Sequence, residues 1–188
     1  MQKHYILASQ SPRRRELLSL MGIPFTTVNP NVEETIDPDY PLETAIEKLA
    51  LLKAQEVLVR HPEAIIISAD TIVVCENEVM GKPLNEEDAL SMLKKLSGRK
   101  HEVITGVCLL NQNKSICFHS KTVVEFYPYD EEFVKAYVHS KVPMDKAGAY
   151  GIQDKGALLI KGIEGDFYTV MGLPIAMLYQ NLEEFNKE

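Results

Sequence analysis

Apolar residues recur along the chain in two alternating patterns. Short runs typical of β-strands lie at residues 4–8, 25–28, 64–68, 72–75, 102–110, 115–127 and 156–161. Longer stretches with helical spacing lie at residues 12–21, 42–60, 86–96, 131–139 and 173–186. Strands that alternate with helices indicate an α/β fold, and two successive strand runs joined by a polar turn indicate a hairpin. We therefore expect a mixed twisted sheet flanked by helices.

The chain organisation favours one domain over residues 1–188. It contains no repeat, no low-complexity tract and no long Gly/Ser linker, and 188 residues suffice for one good core. The middle section, about residues 75–140, is a candidate second lobe. Two lobes would enclose a cleft, which is where we expect a ligand.

Composition narrows the class of protein. Hydrophobic residues make up 45% of the chain, but no apolar run approaches the ~20 residues of a membrane helix. The start of the chain carries no apolar signal core, so we expect a cytoplasmic protein. The formal net charge of −7 argues against a general nucleic-acid-binding role, which needs a basic face. Cys75, Cys108 and Cys117 lie far apart in apolar stretches, which favours reduced thiols.

Three consecutive arginines predict an anion site near the start. Ser11 is a good N-cap and Pro12 suits the first helical position, so Arg13, Arg14 and Arg15 fall in the first turn of a helix. The positive pole of the helix dipole lies at the same end. Such a turn suits phosphate, although a solvated basic turn would look the same.

Carboxylates after two of the predicted strands suggest a metal site. Asp70 ends the most hydrophobic strand of the pattern, and Glu33 and Glu34 follow the second short strand. Ligands of α/β sheets bind beyond the carboxyl ends of strands. Mg²⁺ takes one or two carboxylates together with substrate phosphates and water. The alternatives are that Asp70 caps a turn and that the acidic loop is solvated.

Three further features suit a nucleotide. Lys53 interrupts the apolar stripe of its helix, and Lys82 lies in a Gly-Lys-Pro turn. Residues 145–153 combine small residues with Asp, Lys, Tyr and Gln, which suits hydrogen bonds to a base or ribose. Snorkelling of Lys53 and a plain surface turn at Lys82 remain open. Together these residues indicate metal-assisted phosphoanhydride chemistry on a phosphorylated small molecule.

Taken in order, the motifs resemble the Maf family of nucleoside triphosphate pyrophosphatases, whose members include septum formation proteins. The resemblance covers nearly the whole chain. It rests on Ser9-x-Ser11-Pro12-Arg13-Arg14, Val32-Glu33-Glu34, Lys53-Ala54, Ala69-Asp70-Thr71, Gly81-Lys82-Pro83, Leu96-Ser97-Gly98, residues 145–153 and Gly172-Leu173-Pro174.

The resemblance implies a fold, an activity and a cofactor. The fold would be an elongated α/β structure similar to the inosine triphosphate pyrophosphatases. The activity would be hydrolysis of a nucleoside triphosphate to the monophosphate and pyrophosphate, with Mg²⁺ or Mn²⁺ as cofactor. Asp70 would accept a proton, and Asp70 with Glu33 would hold the metal. The resemblance also implies a link to cell division arrest, and relatives commonly form homodimers.

The resemblance further indicates the branch that acts on dTTP and UTP, because that branch carries Arg, Thr and Gln at the positions of Arg13, Thr71 and Gln153. A Gln amide can donate to a pyrimidine carbonyl and accept from its N3–H. The expected substrate-binding residues share polar or cationic side chains within the motifs: Ser9, Arg13, Arg14, Lys53, Thr71, Lys82 and Gln153.

Two alternatives remain open. One is a related pyrophosphatase that prefers modified nucleotides, including altered pyrimidines. The other is a nucleotide-sensing regulator of septum formation that binds without turnover. The joint presence of Asp70, Glu33 and Lys82 favours an enzyme, since a sensor needs no base.

Overall fold

The computed structural model describes residues 3–187 and contains a seven-stranded mixed sheet with helices. The strands are β1 (Tyr5–Ala8), β2 (Phe25–Val28), β3 (Ile65–Cys75), β4 (Glu78–Met80), β5 (Lys100–Leu110), β6 (Ser115–Phe126) and β7 (Ile160–Glu164). The helices are α1 (Pro12–Ser19), α2 (Leu42–Arg60), α3 (Glu86–Leu96), α4 (Glu131–His139), α5 (Phe167–Met171) and α6 (Ile175–Phe185). Three 3-10 helices span Val142–Asp145, Ala147–Ala149 and Lys155–Leu159. The expected α/β class with a mixed sheet is confirmed.

The strands follow the order β2-β1-β3-β5-β6-β7, and β4 pairs with β3. β1 runs parallel to both β2 and β3, whereas β4 runs antiparallel to β3 and β7 antiparallel to β6. No helix of the described residues 3–187 is long and apolar enough to cross a membrane.

The chain divides into two compact units. The first unit contains the residues up to Asp70, Thr105–Ser120 and the residues from Gly172 onward. The second unit contains Thr71–Ile104 and Lys121–Met171.

In the first unit, α2 packs closely on the sheet. Ala50, Ala54 and Val57 of this helix are fully buried against Ile6 and Ile66. Gly106 allows the close approach, since a Cβ at this position would lie 2.6 Å from the Ile46 carbonyl oxygen. The packing directs one face of α2 inward, and Lys53 lies on it.

In the second unit, a separate apolar core joins α3 and α4 to the sheet. Its buried members include Leu93 and Leu96 of α3, Val134 and Tyr137 of α4, and Phe126 of β6. Asn85 and Asp130 cap these helices with their side-chain oxygens, as the Asn and Asp at these positions predict.

Asp70 does not end a strand, contrary to the prediction. β3 continues without interruption from Ile65 to Cys75, and its pairing with β1 ends at Ser68 whereas its pairing with β4 begins at Val73. Asp70 thus lies inside the strand where one neighbour ends. The polar Asp-Thr pair looked like a break, but β3 also neighbours β5, which keeps the backbone extended.

The C-terminal third departs from the predicted elements in two places. Residues 156–161 were expected to form a strand, but Lys155–Leu159 is a 3-10 helix and β7 starts at Ile160. Asp154 caps that 3-10 helix by accepting a hydrogen bond from Gly156 N–H, which explains the tight turn. The predicted helix 173–186 is shorter, because Pro174 precedes α6, and α5 was not predicted.

Candidate functional site

The turn between β1 and α1 is organised by two serines. Ser9 is buried and its Oγ accepts a hydrogen bond from Ser11 N–H at 3.1 Å. Ser11 in turn caps α1 by accepting from Arg14 N–H at 3.4 Å. This capping places the arginines in the first turn, where the structure has no acidic residue. The predicted helix start is confirmed.

The Arg14 side chain is hydrogen-bonded to the backbone and interacts electrostatically with nearby charged side chains. Its Nε donates to the Gly172 carbonyl oxygen at 2.8 Å, which ties α1 to the loop before α6. Burial lowers the pKa of its guanidinium; Asp70 raises it, Arg13 lowers it, and Glu34 raises it. Arg14 therefore lies in a shared electrostatic environment with these three side chains.

Lys53 joins two carboxylates. Its side chain is 3% exposed, and its Nζ forms ion pairs with Asp70 Oδ1 and, at 2.7 Å, with Glu34 Oε1. The Asp70 side chain is 12% exposed, whereas that of Glu34 is 45% exposed. Burying a charged side chain costs free energy unless an opposite charge pairs with it. Lys53 and Asp70 therefore stabilise each other in this buried position.

We call Arg13, Arg14, Glu34, Lys53 and Asp70 the charge cluster. It combines three cations with two carboxylates and so carries an excess of one positive charge. All five residues belong to the first unit. Such a cluster can attract an anion through its cations while keeping a carboxylate close to it.

The residues present fit a divalent cation only in part. Asp70 and Glu34 supply hard oxygen donors, but Lys53 pairs with both. No group of three or more His, Cys, Asp or Glu among the described residues could hold a metal ion. The donor set therefore suits Mg²⁺ as it is usually bound, by one or two carboxylates with substrate phosphates and water completing the shell. Glu33 is exposed, and its role as a ligand stays a prediction.

The second unit holds a loop built around Tyr137 and Asp154. The Tyr137 hydroxyl donates to Asp154 Oδ1 at 2.7 Å and accepts from Gly151 N–H at 3.1 Å. Asp154 Oδ1 also accepts from Gly156 N–H at 2.8 Å. A Cβ on Gly156 would lie 2.8 Å from the Tyr137 hydroxyl oxygen, so only glycine fits there. Gln153 is exposed on this loop, which the hydrogen bonds of Tyr137 and Asp154 hold in place.

Lys146 fastens the start of the same loop. Its Nζ binds Asp145 Oδ1 at 2.7 Å, approaches Asp154 Oδ2 at 3.5 Å and donates to the Val142 carbonyl oxygen. Gly148, with a φ of +66°, donates its N–H to the Gly81 carbonyl oxygen at 3.1 Å. This bond links the loop to the turn that carries Lys82, whose side chain is exposed.

Four of the predicted site residues are thus brought together in the first unit: Arg13, Arg14, Lys53 and Asp70. Ser9 lies in the adjacent turn. Thr71, Lys82 and Gln153 belong to the second unit. A cavity of about 680 Å³ between α1 and β2 is lined by none of the predicted site residues.

Sequence reasoning missed two contributors and did not choose between Glu33 and Glu34. Glu34, rather than its neighbour Glu33, pairs with Lys53, and two adjacent glutamates gave no signal to separate them. Tyr137 looked like an ordinary apolar helix residue. Asp154 could have been found, because an Asp side chain in a loop commonly accepts a hydrogen bond from the backbone N–H two residues on, in an Asx turn.

Comparisons with known proteins agree with these features. The model of the family described as "Maf-like protein" matches residues 4–185. A protein from Bacillus velezensis named "dTTP/UTP pyrophosphatase" is 48% identical over 99% of this chain and 98% of its own length. A Bacillus cereus protein of the same name is 47% identical over 98% of this chain and 91% of its own length.

A weaker structural likeness is to the Ham1 protein of Staphylococcus aureus, with 12% identity, a TM-score of 0.48, and coverage of 66% of this chain and 72% of that one. The family resemblance does not depend on it. Because the family model spans nearly all described residues and relatives match at almost full length, the chain belongs to the Maf-like protein family.

Proposed function

We propose that this protein is a nucleoside triphosphate pyrophosphatase that hydrolyses dTTP and UTP between the α- and β-phosphates. The observation that carries the proposal is the charge cluster, in which Lys53 pairs with Asp70 beside the two arginines of α1. The relatives named "dTTP/UTP pyrophosphatase" support the substrate class. The set Arg13, Thr71 and Gln153 supports the pyrimidine branch.

Each residue of the charge cluster has a proposed task. Arg13 and Arg14 bind phosphate oxygens and offset the charge of the triphosphate. Lys53 holds the Asp70 carboxylate in one orientation and contributes a further positive charge. Asp70 accepts the proton of the water that attacks the α-phosphorus, and pyrophosphate leaves.

A divalent cation, Mg²⁺ or Mn²⁺, would be held by Asp70 with Glu33 or Glu34; it neutralises phosphate charge and lowers the pKa of bound water when present. The chain itself supplies no three-carboxylate group among its described residues. We therefore expect metal affinity to rise strongly when the nucleotide is bound, because the phosphates complete the shell.

The second unit is proposed to recognise the base. Gln153 would pair with the pyrimidine edge, with Thr71 and Lys82 as further substrate contacts. The fastening of this loop by Tyr137 and Lys146 supports the assignment, because recognition by hydrogen bonds requires a fixed geometry. The homodimer and the link to cell division rest on the family resemblance, whereas the two-lobed domain and the cytoplasmic location rest on the sequence pattern. All four belong to the same proposal.

The test incubates the purified protein with Mg²⁺ or Mn²⁺ and a panel of canonical and modified nucleoside triphosphates, and it identifies both products. We expect metal-dependent release of pyrophosphate with dTMP and UMP, well above the purine nucleotides. Orthophosphate with a diphosphate would mean that the wrong bond is assigned. Binding without turnover of any nucleotide would support the sensor in place of the enzyme.

The base assignment is tested by Gln153→Glu, with the exposed Gln180→Glu as matched control. A Glu carboxylate accepts but cannot donate to a pyrimidine carbonyl. We expect Gln153→Glu to lower kcat/KM for dTTP and UTP relative to the other nucleotides, and the control to leave the profile unchanged. An unaltered profile in Gln153→Glu would remove this residue from base recognition.

A further inference from the structure

Two cysteines that the proposed reaction does not use face each other across a hairpin. The turn of the β5–β6 hairpin is closed by Asn111 N–H, which donates to the Lys114 carbonyl oxygen at 3.0 Å. Counting back three residues on β5 and forward three on β6 sets Cys108 directly opposite Cys117. The bond from Phe126 N–H to the Arg99 carbonyl oxygen, at 3.0 Å, obeys the same register.

The register also fixes the type of pair. Residues 111 and 114 are a hydrogen-bonded pair, and the pairs alternate along an antiparallel ladder. Cys108 and Cys117 are therefore a non-hydrogen-bonded pair, in which the Cα atoms lie about 4.5 Å apart and the side chains are close. A disulfide spans Cα distances of about 4.4–6.8 Å, so the backbone need not move.

The two thiols are in contact and differ in exposure. Both are free, and each thiol shifts the pKa of the other. Cys108 is fully buried with Ala50 and Ala54 of α2, whereas Cys117 is half-buried at the margin of that group. The interaction with Cys108 lowers the pKa of the Cys117 thiol, whereas the interaction with Cys117 and burial raise the pKa of the Cys108 thiol. Cys117 is thus both the accessible and the more readily ionised thiol.

We propose that Cys108 and Cys117 are a reversible thiol–disulfide site that exchanges with a low-molecular-weight disulfide. The Cys117 thiolate attacks one sulfur of that disulfide, forms a mixed disulfide and releases one thiolate. The Cys108 thiol attacks the Cys117 sulfur, its proton passes to the departing thiolate, and the second thiol is released. The two cysteines are oxidised by two electrons, and the small disulfide is reduced to two thiols.

Cys75 provides an internal control. It is 1% exposed and lies in the core of the second unit, where burial raises the pKa of its thiol. It therefore lacks the accessibility and the thiolate character of Cys117. We expect it to remain reduced under conditions that oxidise the pair.

The experiment treats the native, full-length protein with oxidised glutathione, blocks free thiols, digests with trypsin and maps the peptides by mass spectrometry. Trypsin cuts after Lys100, Lys114 and Lys121, so the peptides 101–114 and 115–121 carry one cysteine of the pair each. We expect these two peptides to become joined with the loss of two hydrogen atoms, and a dithiol reductant to separate them. The peptide that carries Cys75 should be recovered in its blocked form.

Three variants identify the order of the steps. Cys108→Ala should retain the mixed disulfide on Cys117, because the second thiol is missing. Cys117→Ala should react much more slowly, since only buried thiols remain, and Cys75→Ala should behave as the unaltered protein. Peptides that stay separate in the unaltered protein, or glutathione found equally on Cys75 and Cys117, would overturn the proposal. The peptide map of the unaltered protein decides it even if a variant fails to fold.

Discussion

Each unit buries a lysine between two carboxylates, yet the two arrangements have different surroundings. Lys53 of the first unit pairs with Asp70 and Glu34, and arginines of α1 share their electrostatic field. Lys146 of the second unit pairs with Asp145 and Asp154, but its other contact is the Val142 carbonyl oxygen. Asp154 is further occupied by Tyr137.

The difference teaches that a buried ion pair is not in itself a sign of chemistry. Around Lys146 the remaining polar partners belong to the backbone and to a tyrosine, so the pair fixes a loop. Around Lys53 the neighbouring groups are the cationic side chains of Arg13 and Arg14. The charge cluster therefore carries an excess of positive charge, which favours binding of a polyphosphate. We therefore expect changes in the charge cluster to lower kcat and changes around Lys146 to raise KM.

The largest expected effect follows from Asp70→Asn. The amide has nearly the same shape but cannot accept a proton, so kcat should fall by roughly 10²- to 10⁴-fold. Steady-state kinetics with dTTP and Mg²⁺ measure the loss, and circular dichroism checks that the fold is kept. The matched control is Asp39→Asn in the exposed acidic loop, which should retain full activity. Activity of Asp70→Asn within about tenfold of the unaltered protein would exclude Asp70 as the base.

Lys53→Met and Lys146→Met test the comparison itself. Each leaves carboxylates without their cationic partner. Because Glu34 and Asp145 are about half exposed, the loss of folding free energy should stay below the ~3–5 kcal/mol of a fully buried pair. Urea unfolding should therefore show similar losses for both. Only Lys53→Met should also lower kcat strongly, whereas Lys146→Met should mainly raise KM for dTTP.

The exposed Lys48 on the same helix as Lys53 offers a control. Its Nζ lies 3.0 Å from the centroid of the Tyr40 ring, a surface cation–π contact worth roughly 0.5–1 kcal/mol. Lys48→Met should thus change stability slightly and leave kcat unaltered. Equal kcat losses in Lys53→Met and Lys146→Met would contradict the division of roles between the two units.

Acid should destabilise the second unit through His101. Burial lowers the pKa of this imidazole from 6.5 to about 4, and its Nε2 lies 2.8 Å from the Tyr150 hydroxyl oxygen. At pH values between about 4 and 6.5, His101 binds a proton in the unfolded chain but not in the folded one. The free energy of unfolding should therefore fall by about 3 kcal/mol as the pH drops from 6.5 to 4, at about 1.4 kcal/mol per unit of pKa difference.

Urea unfolding at several pH values measures that dependence. His101→Gln removes the titrating group, so its stability should vary less over this pH interval. The control His61→Gln, on a half-buried histidine at the end of α2, should keep the dependence. A His101→Gln variant with the same pH dependence as the unaltered protein would contradict this role of His101.

The smallest effect is expected from Tyr137→Phe. The variant loses the hydrogen bonds of the hydroxyl with Asp154 and Gly151, which contribute about 1–3 kcal/mol together. The loop that carries Gln153 should loosen, so KM for dTTP should rise several-fold while kcat stays within about twofold. Tyr127→Phe, on an exposed tyrosine, is the control. A loss confined to kcat would place Tyr137 in the chemical step.

Local signals predicted most elements, and their failures have physical causes. The caps Ser11, Asn85 and Asp130 located three helix starts, because a capping oxygen acts within three residues. The continuation of β3 through Asp70 could not be predicted, since it depends on neighbouring strands distant in sequence. The pairing of Lys53 with Glu34 likewise depends on tertiary packing.

Labelled water tests the central claim most directly, namely that water attacks the α-phosphorus. The reaction is run in water enriched in ¹⁸O and stopped before all of the dTTP is converted. Both products are then analysed by mass spectrometry. We expect the label in dTMP and none in pyrophosphate. Label in pyrophosphate would show attack at the β-phosphorus and would contradict the proposed roles of Asp70 and the charge cluster.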